Sequence, residues 1–270
     1  MKIGINSSFI VTHFDDLLQP NFFIDKINSK NLNSKDSFLT FDFYRLKFET
    51  NLLNYYDLGE NIIKFLKNTE NELNYLDFNL SDKKYYELDV NFNNIEENLL
   101  NAYEFDKKIK TYNFVITNGF IKIYDEVFKD DNYVKIFIYL LDLFLGTSSL
   151  FFDNDASQII RRLFYKCGDY SKHQNVVEYK LLSNDWLFDI NKINFVYEVV
   201  EFCLSFIKDE SFKKFYEIEN NFVYIHGYDF IEFNNIINQL KTNKAERYLR
   251  FIMNFLPENI CKDLEKIKTP

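Results

Sequence analysis

The sequence carries none of the short signatures that announce a common enzyme class. It has no Gly-x-x-x-x-Gly-Lys-Ser/Thr loop, no Gly-x-Gly-x-x-Gly turn, no His-Glu-x-x-His helix, no Gly-x-Ser-x-Gly elbow and no Cys-x-x-Cys pair. The first two omissions speak against phosphate-cradling nucleotide sites, and the others against zinc proteases, α/β-hydrolases and dithiol redox chemistry. Histidine is confined to His13, His173 and His226, which leaves an imidazole-built metal site little material, so no cofactor is expected.

Cysteine is equally sparse. Cys167, Cys203 and Cys261 are odd in number and far apart, which suits reduced thiols in a cytosol rather than a disulfide framework. Cys167 with His173 or His226 would be a thiol–imidazole pair, but an inert buried cysteine is far commoner. The opening MKIGINSSFIV has one lysine and an apolar stretch broken by Asn6, Ser7 and Ser8, unlike a secretion signal. A cytoplasmic location is the expectation.

Six glycines and three prolines in 270 residues make no linker. A single unit over 1–270 is therefore expected, with 1–110 (mixed strands and helices) and 111–270 (hairpin plus helices) as the finer division into lobes. There is one Trp against 31 Phe and 19 Tyr. Asn and Lys are abundant too, the pattern of AT-rich coding, so the rings are read as core rather than as stacking platforms for bases or sugars. Basic residues number 32 against 41 acidic, a net charge of −9. That balance disfavours nucleic acid and anionic membrane and permits a basic protein partner.

Only one long apolar run is present, Tyr133–Leu145 (YVKIFIYLLDLFL). Lys135, Tyr139 and Asp142 fall at i, i+4 and i+7, one narrow polar stripe on an otherwise apolar rod. A membrane span needs roughly 20 apolar residues and tolerates a central aspartate poorly. The run is therefore read as the central buried helix of a soluble domain, ended by Gly146 in a left-handed stop.

Other elements can be placed around it. Strands are expected at Lys2–Val11, Phe38–Phe48, Tyr85–Phe92 and Asn175–Leu182. Pro20–Asp36 and Asn79–Lys84 read as loop and turn. Helices are expected at Leu58–Leu76 (capped by Asp57), Asn94–Lys110, Ala156–Tyr165 (capped by Asp155), Asn191–Lys208, Ile231–Lys241, Ala245–Leu256 and from Glu258. Asn118-Gly119 inside FVITNGFIKIY suits a two-residue turn, which predicts a β-hairpin over 114–124; a second is drawn around His226-Gly227. The class is α+β, with a helix-rich C-terminal half around the central helix at about 133–145. Residues 51–58 and 98–105 look alike, but their flanks do not, and a lone pair makes no repeat fold. Asp153-Asn-Asp155 lacks the glycine and glutamate of a calcium loop, with Gln158 and Phe164 in their places, and reads as a helix cap.

Gly168-Asp169 followed by Val176-Val-Glu178-Tyr-Lys180 resembles the core motif of the PD-(D/E)xK nucleases. The resemblance covers about fifteen residues and lacks the proline of the family's name. It implies that Asp169 and Glu178 hold a divalent ion such as Mg²⁺ and that Lys180 positions and activates the attacking water. On a strand, residues i and i+2 share a face, so Glu178 and Lys180 should point together. Arg161 to Lys180 holds five basic and two acidic residues, whereas Leu181 to Leu240 holds ten acidic and four basic. The preferred expectation is a non-enzymatic acidic cytosolic binding protein, an immunity- or antitoxin-type inhibitor of a basic partner. Asp185, Asp189, Asp209, Glu210, Glu217 and Glu219 are its expected docking residues. The nuclease, using Asp169, Glu178, Lys180 and Mg²⁺, is the alternative, and a self-associating scaffold a third reading.

Overall fold

The computed structural model describes residues 1–14, 16–20, 23, 36–42, 44–81, 85–87, 114–153, 158–226 and 230–268. The α+β class holds: an antiparallel sheet built mainly from the N-terminal half carries a helix-rich C-terminal half. Strand β1 (Lys2–His13) is its spine. β2 (Asp16–Leu17), β3 (Ser37–Phe41), β4 (Leu46–Thr50), helix α1 (Tyr55–Asn74), β5 (Asn79–Ser81), β6 (Tyr85–Glu87), β7 (Phe114–Ile116) and β8 (Asn118–Tyr124) follow. The long helix comes next, as α2 (Asp131–Leu141), a π segment (Asp142–Gly146) and α3 (Thr147–Phe152). After it lie α4 (Gln158–Phe164), β9 (Tyr170–His173), β10 (Val176–Tyr179), α5 (Ile190–Lys208), α6 (Ser211–His226), α7 (Phe230–Asn238), α8 (Thr242–Ile252) and α9 (Glu258–Lys268).

The main sheet runs β3-β4-β1-β8-β10-β9. Register sorts its two faces. Ile3 lies opposite Ile123, Ile5 opposite Ile121 and Val177 opposite Ile123, so these side chains line up toward the helices. Asn6 opposite Glu49 and Glu178 opposite Lys122 occupy the other face. Beyond Phe9, β1 exchanges these partners for β2 and β5, pairing Thr12 with Leu17 and Ile10 with Ser81.

The rod is buried, and it is longer than the apolar run. Asp130 caps its start, Oδ1 accepting from the Asn132 N–H at 2.8 Å. The helix continues for 22 residues to Phe152, long and apolar enough by composition to cross a membrane; 78% of its most apolar window is buried in the fold. Gly146 is not the expected stop. Its φ of −60° is helical, and a Cβ there would sit 2.8 Å from Leu181 Cδ2. The glycine serves close packing against the chain after β10, not a left-handed turn.

Asn118-Gly119 is likewise no hairpin turn. β7 pairs with β6, while β8 has β1 on one edge and β10 on the other, so long-range pairing overrides the local preference. Gly119 is required for another reason: a Cβ would stand 1.9 Å from the Ser183 carbonyl oxygen. Its N–H donates to the Leu182 carbonyl at 3.1 Å and its carbonyl accepts from Trp186 Nε1 at 3.0 Å.

Four smaller expectations are corrected. Phe222–His226, expected as the first arm of a hairpin, is helix, because Phe212, Phe215, Glu219 and Phe222 keep a helical spacing along α6, and residues 227–229 lie outside the described residues. Residues 38–48 form two paired strands, folded back at Asp42, whose Oδ1 accepts from the Tyr44 and Arg45 N–H groups. Part of the expected 79–84 turn is strand β5. Helix α1 starts at Tyr55 behind Asn54, placing Asp57 inside its first turn. The expected 94–110 helix, and the 98–105 half of the internal echo, lie outside the described residues.

Candidate functional site

β9 and β10 form a hairpin whose turn holds Gln174 at φ +53°. As the period of a strand demands, Glu178 and Lys180 share a face, with Lys180 Nζ 3.8 Å from Glu178 Oε2. Glu178 is engaged on both oxygens: Oε1 accepts from Asn6 Nδ2 at 2.8 Å and Oε2 from Ser171 Oγ at 3.1 Å. Lys180 Nζ also stands 5.8 Å from the centre of the Phe120 ring. Beside them Lys122 Nζ contacts Glu49 Oε2 at 2.9 Å. The result is a polar ladder across β4, β1, β8, β10 and β9.

Asp169 sits across the hairpin from Lys180, whose N–H donates to the Asp169 carbonyl at 3.2 Å. Its carboxylate turns back, Oδ2 accepting from the Lys166 N–H at 2.8 Å, in a turn that includes Gly168 at φ +86°. The hairpin thus brings Glu178 and Lys180 together, while Asp169 spends its carboxylate on its own turn. Among the described residues no group of three or more His, Cys, Asp and Glu side chains is placed to hold a metal ion.

The expected docking acids fall in different places. Asp185 and Asp189 flank the start of α5, where Asp189 Oδ1 caps the helix by accepting from Asn191 N–H at 2.8 Å. Asp209 and Glu210 lie past its other end, about 28 Å away at the rise of a 19-residue helix. Asp209 accepts from the Ser211 N–H, which holds its carboxyl below the usual range. Glu210 pairs with Lys213 at 2.5 Å. Glu217 is exposed on α6. Glu219 is not on this surface. It is 2% exposed, and it accepts hydrogen bonds from Tyr139, on the long helix, and from Tyr248 at 3.0 Å.

Buried polar groups cluster along the rod, and local sequence gave them no signal beyond the polar stripe. Asp142 Oδ1 accepts from the Tyr179 hydroxyl at 2.8 Å. Burial pushes its carboxyl up to about 7, against the pull of hydrogen bonds from Tyr179, Cys167 and the Gly168 N–H and of the nearby Arg162 charge. Arg161 and Arg162 are buried and both donate to the Leu181 carbonyl; burial and the Arg162 charge lower Arg161 to about 9. Burial and the Asp142 charge raise the Cys167 thiol well above its ordinary range, opposite to what a nucleophile needs.

A groove of about 550 Å³ opens between α2 and α6, within the range that holds a small ligand or an inserted side chain. Ile136, Leu140, Phe212 and Phe215 supply its apolar lining, and Lys135, Lys213 and Glu217 its charges. Tyr216, 55% exposed, stands beside it. Comparison with models of protein families gives no match, and comparison with curated proteins gives none either.

Proposed function

We propose that this is a non-enzymatic binding protein of the cytosol, an inhibitor of the immunity or antitoxin kind, that recognises a basic protein partner. The observation that carries the reading is how the carboxylates are used. Those of the acid-x-lysine hairpin are turned inward to Asn6, Ser171 and the Lys166 N–H, whereas Asp209, Glu210 and Glu217 are exposed on the α5–α6 corner of a chain of net charge −9, Asp209 capping α6 through the Ser211 N–H and Glu210 paired with Lys213. Exposed charge of one sign speeds encounter with a complementary partner and selects against the wrong one. The corner replaces the wider six-residue patch, since Asp185 and Asp189 lie at the far end of α5 and Glu219 is interior.

Affinity purification of the tagged chain from its native cell tests this. The expected result is one stoichiometric partner of basic isoelectric point, identified by mass spectrometry. Recovery of no stoichiometric partner counts against the reading.

A metal-dependent nuclease remains the second reading, on the strength of one observation: Lys180 Nζ lies 3.8 Å from Glu178 on a shared face. Its test is Mg²⁺ titration by calorimetry with wild type and Glu178→Gln; binding by wild type alone supports it, and no binding by either removes it.

A further inference from the structure

Helix α4 is turned inside out. Leu163 is 52% exposed, while Arg161 and Arg162 just before it are 0% and 2% exposed. Consecutive helical residues diverge by about 100°, so α4 has to be covered on two sides for both arginines to be interior. Arginine is almost never fully buried unless it is paired, because an unpaired charge away from water is costly. Yet neither guanidinium makes an ion pair among the described residues.

The partners they do have are neutral. Arg161 donates from Nε to Gln158 Oε1 at 2.9 Å and from Nη2 to the Leu181 carbonyl. Arg162 donates from Nη1 to that same carbonyl at 2.7 Å and from Nη2 to Ser149 Oγ at 3.3 Å. Two like charges therefore meet at one oxygen, while Arg161 Nη1 and Arg162 Nε, both buried, have no hydrogen-bond partner. The carboxylates that act on the pair through space are committed elsewhere. Asp153 Oδ1 accepts from Gln158 Nε2 at 2.7 Å, and Asp142 Oδ1 accepts from the Tyr179 hydroxyl at 2.8 Å. Below about pH 7 Asp142 keeps its proton, which sets Asp153 alone of these two against two cations.

We infer that the Arg161–Arg162 pair binds a small inorganic anion, chloride, inside the fold, with Arg161 Nη1 and Arg162 Nε as its donors. Both side chains are interior, so the occupant has to be very small. A water molecule would satisfy the two N–H groups but not the charge. Bound there, the anion ties α4 to Ser149 of α3 and to Leu181 just past β10, where the helical layer meets the sheet. This goes beyond the basic-partner reading and stands whether or not that partner is found.

Denaturant unfolding of the full chain reads the binding, with chloride replacing gluconate up to about 200 mM at constant ionic strength. An anion held by the folded chain alone multiplies the folding constant by 1 + [Cl⁻]/Kd, and for the wild type the rise should be about tenfold or more. Gluconate is too bulky to be enclosed. In Arg161→Met with Arg162→Met, whose unbranched side chains remove both charges and keep an apolar filling, the response to chloride should vanish. Wild-type crystals grown in bromide give a second reading that does not depend on how that variant folds. Anomalous scattering should place one bromide within hydrogen-bond reach of both guanidinium groups. A wild type indifferent to the exchange of anions overturns the proposal. So does a chloride response of equal size in the double variant, which is a general salt effect, or a bromide crystal with water alone at the two nitrogens.

Discussion

The Tyr179 hydroxyl donates to Asp142 Oδ1 at 2.8 Å, joining the last residue of β10 to the first residue of the π segment in the long helix. Three residues earlier on the same stripe, Tyr139 donates to Glu219 of α6. The rod thus carries two carboxyl–phenol contacts, one to the sheet and one to the helical layer. Buried polar pairs of this kind are costly when broken, because a partner left behind cannot reach water.

Asp142 makes stability depend on pH. An aspartate in the unfolded chain titrates near 3.8, and in the fold this one is pushed up to about 7. Between those values the folded chain keeps a proton that the unfolded chain has lost. The stabilisation is therefore full below about pH 4 and is lost as pH rises through 7. Chemical denaturation should show this group costing the wild type about 3 kcal/mol between pH 5 and pH 8. Asp142→Asn should remove that part of the slope, and a wild type that gains stability relative to the variant over the window contradicts the assignment.

Gly119→Ala should destabilise the fold by about 3 kcal/mol or more, because the new Cβ meets a backbone oxygen that cannot rotate away. Gly168→Ala meets nothing within 4 Å and should cost only the strain of its positive φ, about 1 kcal/mol. Denaturant midpoints of the two variants check the order; equal losses would mean that the close approach of Ser183 to Gly119 is relieved by a backbone shift.

Tyr139→Phe should cost about 1–3 kcal/mol by taking one donor from the buried Glu219. Tyr139→Phe combined with Glu219→Leu should then cost less than the sum of the two single changes, which a double-mutant cycle measures directly. Additive losses would show that the pair does not interact.

The rod was legible because Lys135, Tyr139 and Asp142 keep a helical spacing inside a thirteen-residue apolar run, and Tyr139 and Asp142 are where its carboxyl–phenol contacts attach. The end of the rod was misread at Gly146, since packing against Leu181 needs a glycine as much as a turn does. The same ambiguity hid the role of Gly119. Glu178 and Lys180 could be paired from the two-residue period alone. Asn6, which holds Glu178 from 172 residues away, could not, because strand order in a sheet is set by packing of the whole and leaves no local mark. Glu219 looked like one more surface acid among ten in its stretch; only the approach of Tyr139 and Tyr248 shows it to be interior.

The claim that this chain recognises a partner by charge, and does no chemistry at β10, is tested most directly by repeating the affinity purification with two variants side by side. One carries Asp209→Lys, Glu210→Lys and Glu217→Lys; the other carries Glu178→Gln and Lys180→Met. The account predicts that the first loses the basic partner and the second keeps it at wild-type stoichiometry. Loss of the partner by the second variant, with retention by the first, would contradict it.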